Sequence, residues 1–198
     1  MGKSICLNLG SGSLIRTTNE LEEWYNLDWA DDVCKMYPQY IIKHDLKTGL
    51  PGFLRQPDSV SFINMSQFLE HLNLTKAISL LKECFTVLKP GEGRIRISVP
   101  DAGLLYDRYL DDRMDEFETV QPEIYKEMNH PMIRLALMLF GSLDGDGSSG
   151  HKMMYTHGSL KYLLEYVGFT DIVYESHNPL FDAPVAENHQ LCLEARKK

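Results

Sequence analysis

Short apolar runs and amphipathic helical runs alternate along this chain. Residues 4–9, 24–28, 40–44, 60–65 and 94–99 are rich in β-branched and aliphatic side chains and read as strands. Between the last two, Leu74, Ala77, Ile78, Leu81, Cys84, Phe85 and Leu88 recur at three- and four-residue spacing, with Lys76, Ser79, Lys82 and Glu83 on the opposite face. Asn73 is placed to cap that helix, and Pro90-Gly91 stops it. Strand, helix and strand in this order predict a right-handed parallel crossover and an α/β sheet. Near the end, Leu160, Leu163, Leu164 and Val167 predict a short helix ended by Gly168. Two strand-like runs follow, 170–175 and 190–195, joined by Asn178-Pro179 and Ala183-Pro184 without a helical pattern, so this pair is expected to be antiparallel.

Residues 101–157 interrupt the alternation and read as a helical insertion, a lid within a single domain spanning 1–198. Asp101 is placed to cap a helix over 102–110. From Asp101 to Met128 there are nine acidic and three basic residues, a net of -6 out of -8 for the whole chain. The apolar stretch 132–140 leaves almost no polar face, so it needs a neighbour, a substrate pocket or a second copy to cover it, and a homodimer through this helix is one expectation. Residues 141–150, with four glycines and three serines, read as a loop.

Composition narrows the function. The chain has 198 residues, 28 acidic against 20 basic, and its dense basic cluster is the terminal Arg196, Lys197 and Lys198. Nucleic-acid and anionic-membrane binding are therefore not expected, because both need clustered Lys and Arg. The apolar stretch 132–140 is far short of the ~20 residues of a membrane span, and no signal peptide precedes the first strand. The four cysteines lie far apart without ligand spacing, so no metal site is assigned, and reduced structural thiols in a cytoplasmic protein are expected.

The chemistry concentrates at strand ends. Leu7-Asn8-Leu9-Gly10-Ser11-Gly12-Ser13 closes the first strand, and two glycines one residue apart let the backbone turn and approach a ligand. Ile15 stands where a dinucleotide fingerprint needs its third glycine, and no Gly-Lys-Ser/Thr follows, which disfavours a nicotinamide site and excludes a phosphate loop. Asp28 ends the second strand, where a carboxylate can accept from a ribose diol. Asp45 and Leu46 follow the third strand, where Asp45 can accept from an adenine amino group and Leu46 can pack on the ring. Taken alone, each acid reads equally well as a loop residue.

Together these pieces resemble the class I S-adenosylmethionine-dependent methyltransferases, and more closely the small methyltransferase-11-type proteins. The matching pieces are LNLGSGS, YNLD, HDLKTGLP, MSQFLEHL, VLKPGEGRIRISVPD and HKMMYTHGSLKYLLEYVGF, in that order through residue 169. The resemblance implies a Rossmann-like sheet of order 3-2-1-4-5-7-6, parallel apart from the C-terminal hairpin. It also implies S-adenosylmethionine as cofactor and a small-molecule or saccharide methyl acceptor. Asn8, Leu9, Gly10, Ser11 and Gly12 would carry the methionyl part, Asp28 the ribose, Asp45 and Leu46 the adenine, with Met65 and Ser66 on the methionine side.

Three departures stand out. Asn8 replaces the acid that many relatives carry there. The interval before Trp24 holds about two helical turns, so one sheet face should be thinly covered. No N-terminal lid is expected. For a hydroxyl acceptor a general base is useful, and Glu70, His71, Asp101, His151 and Tyr155 are the candidates. The resemblance lends His71 weight, because LEHL recurs in the family and some relatives use a Glu-His pair to bind a divalent metal, and Asp101 reads also as a helix cap. A degenerate, non-catalytic cofactor-binding or scaffold protein is the alternative, supported by Asn8 and the shortened first helix.

Overall fold

The computed structural model describes residues 2–114, 130–140, 150–184 and 189–198. Seven strands form one sheet: β1 Ser4–Leu9, β2 Glu22–Asp28, β3 Ile41–Lys43, β4 Val60–Ser66, β5 Arg94–Pro100, β6 Thr170–Glu175 and β7 Gln190–Arg196. Their order is β3-β2-β1-β4-β5-β7-β6, with β7 antiparallel to both β5 and β6 and the remaining pairs parallel. This is the expected class I methyltransferase topology. Among the described residues five α-helices accompany it: α1 Asp31–Met36, α2 Leu74–Val87, α3 Ala102–Leu110, α4 Pro131–Phe140 and α5 His157–Val167.

The main core lies between one sheet face and α2 with α5. Strand alternation sends Leu7, Leu9, Ile63 and Met65 to that face, where they meet Ala77, Leu80, Leu81, Leu160 and Leu164, all buried. Capping follows the sequence. Asn73 accepts from the Lys76 N–H at 3.0 Å, Asp101 from Gly103 and Leu104, and Thr156 with Ser159 makes a capping box at α5.

The opposite face is thin, as expected. The chain runs from Gly10 to Leu21 without a helix, and among the described residues this loop and the one that carries Phe181 pack on that face. Cys6, Trp24 and Phe62 pack against Phe181, and the Arg16 guanidinium lies over the Trp24 and Phe181 rings at 5.0 and 4.8 Å. Polar residues fill the remaining space. Asn26 and Asn64 flank Asn8 in a row of buried amides across three strands. Arg96 meets Asp182 through Nε–Oδ1 at 3.1 Å and Nη2–Oδ2 at 2.5 Å, both side chains buried. Asn178 N–H donates to the same carboxylate, and Arg96 also reaches the Ser176 carbonyl. A strap of residues 176–183 is thereby fixed across the bare strands.

The insertion begins with α3 and α4 packed together through Ala102, Leu105, Leu135 and Leu139, with Met114 between them. The apolar stretch thus finds much of its cover within the chain, while Met132 and Phe140 stay exposed. The acids from Asp115 to Glu127, and most of the glycine-rich 141–150 stretch, lie outside the described residues. Among the described residues no helix is long and apolar enough to cross a membrane.

All four cysteines are free, and three are buried. Burial pushes the Cys6 and Cys192 thiols up to about 12 and Cys84 higher still. Titration of native protein with an aromatic disulfide at pH 8 is expected to label half-buried Cys34 first. The other three should react at comparable rates once denaturant is added. Equal native rates for all four thiols would contradict this packing.

Candidate functional site

Parallel pairing brings the carboxyl ends of β1, β2, β3 and β4 to one rim, and the cleft opens there. Gly10 N–H and Ser11 N–H both donate to the Leu27 carbonyl, and His44 N–H to the Asp28 carbonyl, so the turns after β1 and β3 are tied to the end of β2. The cleft has a volume of about 280 Å³. Gly10, Gly12, Asp28 and Asp45 line it, as do Trp29, Gln67, Phe68 and His71.

The two glycines have different duties. Both hold left-handed backbone, φ +66° at Gly10 and +51° at Gly12. A Cβ on Gly10 would lie 2.3 Å from Phe68 Cδ2, so the Phe68 ring rests directly on its backbone. A Cβ on Gly12 would meet nothing within 4 Å, which leaves this peptide open to a ligand. Asp28 fixes the turn: its Oδ2 accepts from Gly12 N–H at 2.8 Å and its Oδ1 from Ala30 N–H at 2.9 Å. Each oxygen keeps a further lone pair for a donor in the cleft. Asp45 accepts from Lys47 N–H with Oδ1 and caps a short 3-10 turn at the other side.

Several residues singled out in the sequence sit elsewhere. Asn8 shares the strand parity of Cys6, and its amide is committed to Leu14, Asn26 and Asn64 on the thin face. Leu9, Leu46 and Met65 are buried in the main core and do not line the cleft. Ser66 Oγ accepts from Ala183 N–H at 2.9 Å and is hydrogen bonded to Ser98 at 3.0 Å. Ser11 is buried beside the turn, its hydroxyl without a hydrogen-bond partner among the described residues.

Trp29 directly follows the YNLD piece, and Gln67 and Phe68 lie within MSQFLEHL, but the sequence alone gives none of the three a role. Trp29 is 43% exposed at the cleft, with Lys47 Nζ 4.5 Å from its ring centroid. Gln67 has φ +53°, an uncommon conformation for a residue with a side chain, and its amide nitrogen is buried without a partner.

Of the catalytic candidates, His71 lines the cleft and His151 lies beside it, their ring centroids 4.9 Å apart. Asp101 is a helix cap and does not line the cleft. Glu70 is 1% exposed, and burial pushes its carboxyl up to about 8. Burial also lowers His151 below the usual histidine value, partly offset by its hydrogen bond to the Leu139 carbonyl. Tyr155 is raised, first by burial and then by the nearby Glu70 charge.

The same fold recurs in solved structures. An S-adenosylmethionine-dependent methyltransferase from Archaeoglobus fulgidus shares 18% identity at a TM-score of 0.58, over 99% of this chain and 87% of that one. The PH0226 protein of Pyrococcus horikoshii shares 14% identity at 0.57, over 100% of this chain and 83% of that one. Phosphoethanolamine N-methyltransferase 2 of Haemonchus contortus, solved with S-adenosylmethionine, shares 11% at 0.54, over 98% of this chain and 49% of that one. The chain spans about half the length of several of these similar proteins. At such identities the likeness is one of fold. No family model matches the sequence, and no curated protein matches it.

Proposed function

We propose that this protein is an S-adenosylmethionine-dependent methyltransferase acting on a small-molecule or saccharide acceptor. The observation that carries the reading is the Gly10–Gly12 turn held by Asp28 at the rim of a class I methyltransferase sheet. The residues present suit the cofactor. Gly12 offers an unobstructed peptide, Asp28 has spare lone pairs for a diol, and Trp29 presents an aromatic face beside Asp45 for a purine.

When bound, S-adenosylmethionine supplies a sulfonium methyl and a neutral thioether leaving group. The chain's own contribution is alignment and exclusion of water. Asp28 and Gly12 set the ribose end, and the Phe68 ring on Gly10 fixes the turn from below. His71 stands on the wall where an acceptor would approach.

Calorimetry with S-adenosylhomocysteine tests the cofactor reading, and absence of heat at saturating concentration would remove it. Turnover with sugar and small hydroxyl acceptors then separates an enzyme from a cofactor-binding scaffold. Gly10→Ala is expected to weaken binding on the order of tenfold, because the side chain must displace the Phe68 ring from a left-handed position. Unchanged affinity would show that this turn does not carry the cofactor.

A further inference from the structure

Glu70, His71 and His151 each offer one donor atom, and the three atoms lie within 4.8 Å of one another. The first two come from the turn after β4, and the third from the end of the insertion. Backbone hydrogen bonds clamp them together: Lys152 N–H and Met153 N–H both donate to the Glu70 carbonyl, at 2.7 and 3.1 Å. His151 N–H donates to the Phe140 carbonyl at 2.9 Å.

Two independent features point to a ligand for this cluster. First, both carboxylate oxygens of Glu70 are buried without a hydrogen-bond partner among the described residues. A buried carboxylate is costly unless a proton, a cation or hydrogen-bond donors neutralise it, and a bound cation would take the place of the proton. The neighbouring Tyr155 hydroxyl, itself without a partner among the described residues, does not bond to it. Second, His151 Nδ1 lies 2.9 Å from the Leu139 carbonyl. That contact places the ring proton on Nδ1 and leaves the Nε2 lone pair available, the arrangement by which metal-binding histidines are oriented. A cavity of about 10 Å³, lined by Glu70 and His151 while His71 lines the larger cleft, is the size of one small ion or water and too small for a substrate.

We propose that Glu70, His71 and His151 bind one divalent first-row transition ion of the zinc class, with an open position on the His71 side for a hydroxyl oxygen of the methyl acceptor. One carboxylate and two imidazoles form a borderline donor set that suits zinc-like ions, whereas magnesium and calcium favour oxygen ligands. Three protein ligands leave room for an exogenous oxygen. The existence of the site stands apart from the methyltransferase reading, while its role in transfer rests on that reading. A hydroxyl held there loses its proton to solvent more readily. Transfer then forms an O–CH₃ bond as the S–CH₃ bond of the donor breaks and a neutral thioether departs. The acceptor class is accordingly an alcohol or sugar hydroxyl.

Cobalt titration of the chelator-treated full chain tests the site through visible d–d absorption. One equivalent should saturate, Zn²⁺ should displace it, and equimolar Mg²⁺ should not. Glu70→Gln and His151→Gln should each weaken Co²⁺ binding about 100-fold. Absence of saturable binding, variants that bind as tightly as the parent, or displacement by Mg²⁺ would each overturn the proposal. Should those variants be unfolded by circular dichroism, His71→Gln decides. Zn²⁺ should raise the Tm of the parent and leave that of His71→Gln unchanged, and equal shifts in both count against the site. Calorimetry with S-adenosylhomocysteine on metal-free protein is read separately. Cofactor heat without cobalt binding removes the metal site and keeps the methyltransferase reading. Cobalt binding without cofactor heat removes that reading and the transfer role, and keeps the site.

Discussion

Asp28→Ala is expected to weaken S-adenosylhomocysteine binding by about 1.5–3 kcal/mol, roughly 10- to 150-fold, the range for lost hydrogen bonds to a charged acceptor. The substitution does two things at once. It removes acceptors for a ribose diol, and it releases Gly12 N–H and Ala30 N–H, which are held at 2.8 and 2.9 Å. Since Asp28 is buried, those peptides lose their partner close to the protein interior. Asp28→Asn separates the two effects in part. Its amide oxygen restores one acceptor, but its NH₂ confronts a backbone N–H, so the loss should be smaller than for alanine and still measurable. Calorimetry gives the dissociation constants, and a thermal melt reports the cost to the turn. A dissociation constant unchanged in Asp28→Ala would remove this carboxylate from both roles.

The residues also show how much of this was legible from sequence. α2 announced itself because its apolar period matches a buried stripe, and Asn73 and Pro90 marked its ends. α1 buries no side chain, so it leaves no periodic signal and went unread. The rim of the cleft was legible at Gly10, Gly12, Asp28 and Asp45, since strand ends converge in any sheet of this order. Asn8 was read toward the ligand because of its place in a motif. Strand alternation alone puts it with Cys6 on the thin face, where three amides and two loops replace a helix. The meeting of His71 with His151 was not legible, because it depends on how the insertion returns to the turn after β4. Glu70 stands out in the sequence as a candidate base within LEHL, but its burial is encoded by no local pattern.

The thin face leads to the largest stability effect. Asp182→Ala is expected to cost about 3–5 kcal/mol, the usual penalty for stranding a buried charge. Arg96 is 3% exposed in its side chain, and Asp182 is fully buried. Glu194 at 3.3 Å gives Arg96 a second, less buried acid, so the loss should fall toward the lower end of that range. The same carboxylate accepts from Asn178 N–H, and Ala183 N–H reaches Ser66 Oγ, so the strap would loosen along with the charge. Replacing both partners with apolar side chains removes the stranded charge. Arg96→Met with Asp182→Leu should therefore be more stable than Asp182→Ala alone, although it carries two substitutions. Urea unfolding measures both. Ser66 adjoins Gln67 on the cleft, so the single variant should also bind S-adenosylhomocysteine more weakly, by less than it loses in stability. A cost under ~1 kcal/mol for Asp182→Ala would mean that the pair is solvated. The aromatic contacts of Phe181 and Arg16 would then hold the strap, and the thin face would owe its order to packing rather than charge.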